Sequence, residues 1–351
     1  MFHLLFIIIG FFLFLATIGS ASLAIVALLG FSYPLLDFFN HLQPFIFLSN
    51  LSLLFLVALF LKVKLWRSLA ITIAATGFLS SAIIVIPDTL AKFVQQKTPI
   101  PKTEIATYKI LTQNVFGQNY EMPKLANMIE TQDPDIIAFQ EYFREQRSVL
   151  HPLIKDKYPF FLICTGGKRE NIAIYSKMEF EINSEDNCNL DDGRVSRIIA
   201  KFKGKDNREF IVITTHLDWP LQISKFNDGK NIFEGLDLSI ARKRDQISDL
   251  SNRLKKIETP YLIVGDLNST SWSYQLKKFA KKNDLSLRTT GFLTYPNRLH
   301  LAGKWRNVLP FLSLDHILSD ENINVHKIKK GEPAGSDHNP IIMVFSVKDG
   351  E

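Results

Sequence analysis

A chain of 351 residues, 46% of them apolar, is long enough for a full-sized core, and 41 basic against 35 acidic residues leave a formal charge of only +6 at neutral pH. That mild surplus, without a strong basic block, suits an anionic phosphate substrate or lipid head group and equally a domain with no such partner. Two cysteines, Cys164 and Cys188, fit no metal-binding spacing; they either pair in an oxidising compartment or stay as buried thiols.

The apolar residues are unevenly spread. Up to Pro87 the only charged side chains are Asp37, Lys62, Lys64 and Arg67. Apolar runs over residues 2–31, 45–61 and 69–86 each approach the ~20 residues that a bilayer crossing needs, which predicts three transmembrane helices within residues 1–87. The first run lacks a basic leader and exceeds the length of a signal-peptide core, so it reads as a retained span. Lys62, Lys64 and Arg67 fall between the second and third spans and predict a cytoplasmic loop there. The loop with Asp37, Asn40 and His41 is then outside, as is everything after the third span, although Lys92, Lys97 and Lys102 pull the other way. Gly19, Ser20, Ala21 and Ser22 suit close helix approach. No ionisable residue sits near the centre of a span, so the region reads as an anchor rather than an ion pathway. Residues 88–105, with Pro99 and Pro101, read as an extended tether to a catalytic domain over 106–351.

Within that domain, residues 108–115 alternate into a first strand ending at Asn114, and a helix over 122–131 follows. The apolar run 135–139 is a strand that delivers Gln140 and Glu141. Two more strands, 160–164 and 172–175, flank a turn with Gly166 and Gly167; 194–203 and 209–215 form a hairpin whose second arm ends at His216. The segment 218–236 is irregular, with Trp219, Phe226 and Phe233, and reads as a substrate or membrane flap. An amphipathic helix over 239–257 buries Ile240, Ile247, Leu250, Leu254 and Ile257 and turns Arg242, Lys243 and Arg244 to solvent. Strands at 261–264, 314–318 and 341–347 complete the set, the last introduced by a flexible Gly335-Ser336 and stiffened by Pro340. Thr294-Tyr295-Pro296 is a loop whose aromatic lines the cleft.

Polar residues thus follow apolar strands repeatedly: Asn114, Glu141, His216, Asp266 with Asn268, Asp315, and Asp337 with His338. Any one of them is commonly a capping or structural residue; the set suits phosphoester hydrolysis. A carboxylate such as Glu141 and the amides Asn114 and Asn268 are hard donors to a divalent cation or its water, and His216 and His338 titrate near neutrality, with Asp266 and Asp315 to orient them.

In chain order, Thr112-Gln113-Asn114, Pro134 to Glu141, Ile174 to Lys177, Thr214 to Leu217, Gly265-Asp266-Leu267-Asn268, Leu314-Asp315-His316 and Gly335 to Pro340 resemble the signature of the endonuclease/exonuclease/phosphatase superfamily. The resemblance covers residues 106–348 and implies a four-layer α/β/β/α sandwich, the deoxyribonuclease I-like fold, behind the three spans. It implies metal ligands Glu141, Asn114 and Asp337 for Mg²⁺ or Mn²⁺, with His338 as general base or phosphate partner. Asp266 and Asn268 position water and phosphate, Asp315 orients a histidine, and His216 matches the acid of deoxyribonuclease-like members, where apurinic-site enzymes have a tyrosine. Phe116 stands where some members carry an assisting Asp, so one divalent ion is expected.

Together with the spans, the motifs look like the bacterial membrane-anchored branch: a multi-pass inner-membrane protein with its catalytic domain on the extracytoplasmic face. The expected substrate is a phosphodiester or phosphomonoester in nucleic acid or a lipid head group, including a sphingomyelin-type phosphodiesterase. The alternative is a binding module that keeps the fold without the chemistry.

Overall fold

A computed structural model of the chain describes residues 2–94, 106–165, 171–182, 188, 196–219 and 232–348. The prolines of the tether, the Gly166-Gly167 turn and most of the 218–236 flap lie outside the described residues. Two compact units are formed, one from Met1–Phe93 with Thr270–Lys277, the other from Val94–Ser269 with Lys278–Glu351.

In the first unit, helices α1 (Phe2–Leu28), α2 (Gln43–Phe60) and α3 (Lys64–Val94) are joined through 3₁₀ turns at Leu29–Phe31 and Leu36–Leu42. All three helices are long and apolar enough to cross a bilayer, and they leave Phe11, Phe12, Phe55 and Leu59 exposed, as a hydrocarbon solvent favours. Small side chains let the helices close up. Ser20 Oγ–H donates to Ser49 Oγ (3.0 Å), and a Cβ on Gly77 of α3 would lie 2.7 Å from Ala21 Cα. Beyond the apolar run, α3 continues through Pro87, carried by the helix formers Leu90, Ala91 and Lys92.

The second unit begins with β1 (Tyr108–Asn114), α4 (Met122–Gln132), β2 (Ile136–Gln140), α5 (Arg144–Ile154), β3 (Phe160–Cys164), β4 (Ile172–Ser176) and β5 (Phe180–Ile182). Next come β6 (Ser196–Lys203), β7 (Glu209–His216), α6 (Ile232–Leu254), β8 (Tyr261–Asp266), α7 (Tyr274–Lys282, whose first turn belongs to the other unit) and β9 (Ser286–Leu287). The remaining strands are β10 (Arg298–Leu301), β11 (Lys304–Asn307), β12 (Asp315–Ser319), β13 (Ile323–Lys330) and β14 (Ile341–Val347). One six-stranded sheet has the order β13-β14-β1-β2-β4-β3, the other β5-β6-β7-β8-β12-β9, and β10 pairs with β11 alone.

Strand alternation decides what fills the space between the sheets. Tyr108 and Ile110 of β1, Ile136 and Ala138 of β2, Phe210 and Val212 of β7, Leu262 and Val264 of β8 and Met343 and Phe345 of β14 join one buried cluster. The alternate residues Leu111, Ile137, Phe139, Tyr175 and Ile342 turn outward under Leu125 and Ile129 of α4 and Leu150 and Ile154 of α5. Helix α6 starts at Ile232, before the predicted residue 239, and its buried face is Ser239, Lys243, Gln246, Leu250 and Leu254. That face is rotated from the predicted stripe, so Lys243 belongs to the interior and not to the solvated side.

Cys164 and Cys188 form a disulfide across a sequence separation of 24, which settles the pairing that the sequence left open. Losing a cross-link over a loop of that size removes about 3 kcal/mol of stability. Cys188→Ser is therefore expected to lower the melting temperature by several degrees, measured by thermal unfolding without reductant; an unchanged midpoint would contradict this role for the bond.

Candidate active site

Each sheet contains one parallel pair at its centre, and these pairs build the site. In the first, β1 and β2 run side by side and end level, Asn114 opposite Gln140; in the second, β7 and β8 end level with His216 opposite Asp266. Antiparallel neighbours start at the same ends. Asp315 at the head of β12 lies opposite Asp266, and His338 comes just before β14, whose Ile341 is opposite Thr112. Two topologically similar halves therefore bring their polar ends to one rim of the space between the sheets.

The inner face changes character toward that rim. Past the apolar layer, Gln140 Nε2 is shared between Thr112 Oγ1 (3.3 Å) and Thr214 Oγ1 (3.2 Å), a buried bridge from one sheet to the other. One alternation further on lie the predicted site residues. Asn114 Nδ2–H donates to Asp266 Oδ2 (3.0 Å), and the Asn268 backbone N–H donates to Asp266 Oδ1 (2.8 Å). His216 Nε2 is 3.5 Å from Asp266 Oδ2 and 4.0 Å from Glu141 Oε1, and 3.2 Å from Asn268 Nδ2. His338 Nε2 lies 4.0 Å from Asp266 Oδ2, and its Nδ1 is hydrogen-bonded to Asp315 Oδ2 at 2.8 Å. Glu141 Oε2 accepts from Gly117 N–H at 3.2 Å. Asp337 stands close enough to feel the charges of His338, Glu141 and Asp266. All eight predicted residues converge.

The structure also assigns partners that the sequence left undecided. Asp315 serves His338, whereas the adjacent His316 is turned to Ser269 O (2.6 Å) and Thr289 Oγ1 (2.8 Å). Ser336, expected to be flexible, is a buried bracket: its hydroxyl donates to Asn114 O (2.7 Å) and accepts from His338 N–H (3.0 Å). Tyr295 packs its ring on His338 with centroids 4.6 Å apart, as the cleft-lining reading expected. Lys243 was missed. Its Nζ donates to Leu267 O (2.9 Å) and Asn268 O, bracing the loop that carries Asp266 and Asn268. Nothing in a helical charge run marks one lysine as buried until the helix phase is known.

Charge is concentrated in this small volume. Burial pushes the Asp266 carboxyl up, but the hydrogen bond from His216, the charge of His338 and the Asn114 amide outweigh it and hold the group well below the usual carboxylate range. Burial alone would lower His338; Asp315, Asp266 and Asp337 reverse this and raise it to about 10. Asp337 is pushed up to about 6 by burial and by Glu141 and Asp266, against the opposing pull of His338. Two carboxylate oxygens, Asp315 Oδ1 and Asp337 Oδ1, are buried without a hydrogen-bond partner. Orphaned carboxylate oxygens among several acids fit a hard divalent cation. Ligand atoms of Asp266, Asp315 and His338 lie within 4.8 Å of one another, but Asp315 Oδ2 is engaged by His338 and both Asp266 oxygens by amides. Asp337 keeps Oδ1 without a hydrogen bond, and Glu141 adds a second carboxylate whose charge Asp337 feels.

A sequence model of the Endonuclease/Exonuclease/phosphatase family matches residues 111–338. An endonuclease/exonuclease/phosphatase family protein from Bacteroides thetaiotaomicron superposes with a TM-score of 0.52 at 17% identity, over 71% of this chain and 100% of that one. An endonuclease/exonuclease/phosphatase from Beutenbergia cavernae gives a TM-score of 0.50 at 16% identity, over 69% and 72%. Sphingomyelinase C from Streptomyces griseocarneus gives 0.48 at 17% identity, over 68% and 99%. No curated protein matches the sequence. The first two superpositions identify the architecture as the deoxyribonuclease I-like fold, two stacked sheets with flanking helices.

The close pairing of β7 with β8 beside the site depends on Gly265, which has φ +138°; a Cβ there would lie 2.1 Å from Thr215 O. Gly265→Ala is expected to destabilise the fold by about 3 kcal/mol and to displace Asp266. Denaturant melts of the two proteins check this, and equal midpoints would contradict it.

Proposed function

Because the chain belongs to the endonuclease/exonuclease/phosphatase family, we propose that it is a membrane-anchored, divalent-metal-dependent phosphoester hydrolase. The observation that carries this reading is the convergence of the Asp315–His338 pair, Asp266, Asn114, Asn268, His216 and Glu141 at one rim. Glu141, Asp337 and Asn114 Oδ1 would hold Mg²⁺ or Mn²⁺, one ion in all. When bound, the ion neutralises phosphoryl oxygens and so favours attack at phosphorus.

The protein's own residues have distinct tasks. Asp266, ionised throughout the working range, accepts an O–H of the attacking water and aligns it; because so depressed a carboxylate is a poor proton acceptor, the water's proton passes to a phosphoryl oxygen as the new O–P bond forms. His338, raised to about 10, is an imidazolium at neutral pH and donates to a phosphoryl oxygen, which favours the phosphate-partner role over that of base. Asp315 fixes its ring. His216, beside Asn268 and Glu141, is the donor for the departing oxygen as the P–O bond breaks. Asn268, its amide anchored on Leu217 O (2.8 Å), lies 3.2 Å from that imidazole and lines it.

One observation favours a lipid head group over duplex nucleic acid. Hairpin β10–β11 is tied beside the site, Arg298 Nη1–H donating to Gly335 O (2.6 Å) and Trp305 packing on Phe116 with centroids 5.3 Å apart. It exposes Leu301 and Trp305 beside Lys304 and Arg306, and Leu309 just beyond is 89% exposed, so apolar side chains stand next to cations as an anionic lipid surface would favour. The reading includes a bacterial inner-membrane location with the domain on the extracytoplasmic face, supported by Lys62, Lys64 and Arg67 at the α2–α3 turn and by the disulfide.

With Mn²⁺ and a panel of phospholipid, phosphoinositide, DNA and RNA substrates, the full chain is expected to hydrolyse at least one. Glu141→Gln and His338→Ala should each reduce kcat/KM by about 10²-fold or more. Wild-type rates in both variants would remove the site from the mechanism, and inertness on every substrate would leave the binding-module alternative. Because an ionised Asp337 is needed to bind the cation and its value is raised to about 6, Mn²⁺ affinity should be full above that pH and fall roughly tenfold per unit below it. Asp337→Asn should abolish that slope, and a titration flat from pH 7 to pH 5 would contradict the assignment. A fused alkaline phosphatase after Lys348 should be active; an inactive fusion would reverse the topology.

A further inference from the structure

Between β1 and α4 the chain crosses the rim of the site without a helix or strand of its own. Phe116 N–H donates to Asn114 Oδ1 (2.9 Å), and the next amide, Gly117 N–H, donates to Glu141 Oε2 (3.2 Å). Further on, Asn119 Nδ2–H donates to Ala334 O (3.1 Å), just ahead of Ser336 to His338, while its Oδ1 accepts from Glu121 N–H (2.9 Å). Residues 116–119 thus reach Asn114, Glu141 and the segment that carries Asp337. The backbone on both sides of the Glu141 contact is left-handed, with φ +68° at Phe116 and +51° at Glu141. Residues other than glycine keep such angles only where their surroundings impose them.

One side chain does this from the helix behind. Gln146, in the first turn of α5 and 1% exposed, donates from Nε2 into the loop twice, to Gly117 O (2.8 Å) and to Asn119 O (3.3 Å). Two carbonyl acceptors fix which end of the amide faces the loop, because a flipped amide would set its oxygen against both. The other end gains nothing: Gln146 Oε1 is buried without a hydrogen-bond partner. A buried unpaired oxygen costs stability, so the use of the amide lies in its two donors. Those donors act on Gly117, whose N–H meets Glu141, and on Asn119, whose side chain meets Ala334.

We infer that Gln146 is a positioning residue of the hydrolase, which together with Asn119 holds the 116–119 loop so that Glu141 and Asp337 present their carboxylates to one cation. The inference rests on the reading of Glu141 and Asp337 as cation ligands. Full-length wild type, Gln146→Met and Asn119→Ser are compared in nanodiscs of zwitterionic lipid. Mn²⁺ binding is read from the paramagnetic resonance of the free ion, and turnover of bis(4-nitrophenyl) phosphate is followed against Mn²⁺ concentration. Met matches the length of Gln without its donors; Ser keeps an oxygen for Glu121 N–H and loses the amide that meets Ala334 O. Each variant should bind Mn²⁺ about tenfold more weakly. Its kcat at saturating Mn²⁺ should return to within about threefold of wild type, because a bound cation itself gathers loosened ligands. Excess cation does not rescue a protein that has lost its fold, so this return separates positioning from general damage. A folded Gln146→Met whose Mn²⁺ affinity stays within about twofold of wild type, or whose kcat stays low at saturating Mn²⁺, overturns the inference while the hydrolase reading stands. If that variant fails to fold, Asn119→Ser decides by the same two measurements. A wild type that binds Mn²⁺ without turnover refutes the hydrolase reading and leaves the affinities to decide the positioning claim; one that binds no Mn²⁺ refutes both.

Discussion

A carboxylate as deeply buried as Asp266 stays charged only if the fold surrounds it with donors, and that requirement organises the domain. Its partners come from both sheets: hydrogen bonds from the Asn114 amide at the end of β1, from the Asn268 N–H of its own loop and from His216 of β7, and the charge of His338 from the turn before β14. Neither sheet alone satisfies it. Stacking the sheets is therefore coupled to assembling the site, and the Gln140 bridge to Thr112 and Thr214 makes the same connection one layer deeper.

The arrangement also explains why the polar residues are not scattered. Parallel pairs β1/β2 and β7/β8 end level, and their antiparallel neighbours β14 and β12 begin where they end. Period-two alternation then carries each inner face from apolar residues through threonine and glutamine to the ionisable rim. An excess of carboxylates there is unfavourable without a counter-charge. The raised Asp337 and the unpartnered Asp315 and Asp337 oxygens are the physical trace of that excess.

Much of this was legible in the sequence because strand-end residues are set by local alternation: an apolar run followed by Asn, Glu, His or Asp shows both the strand and the residue it delivers. What was hidden depended on contacts between distant elements. The partner of Asp315 is fixed by where the turn before β14 docks, which Ser336 and Asn114 decide together. Lys243 looked solvated because its neighbours Arg242 and Arg244 are exposed, and only the earlier start and rotated face of α6 bring it inside. Asp37 gave a bare signal, one acid in a long apolar stretch, with nothing to show that it would accept from Ser273 and Tyr274 of the same unit.

The account stands on the charge of Asp266 holding His338 as the imidazolium that meets the phosphoester, so that the two depend on each other, which a double-mutant cycle tests most directly. Turnover is measured for wild type, Asp266→Asn, His338→Gln and the double variant. A shared role predicts that the double variant is no slower than the worse single one. Losses that multiply, as for two independent groups, would contradict it.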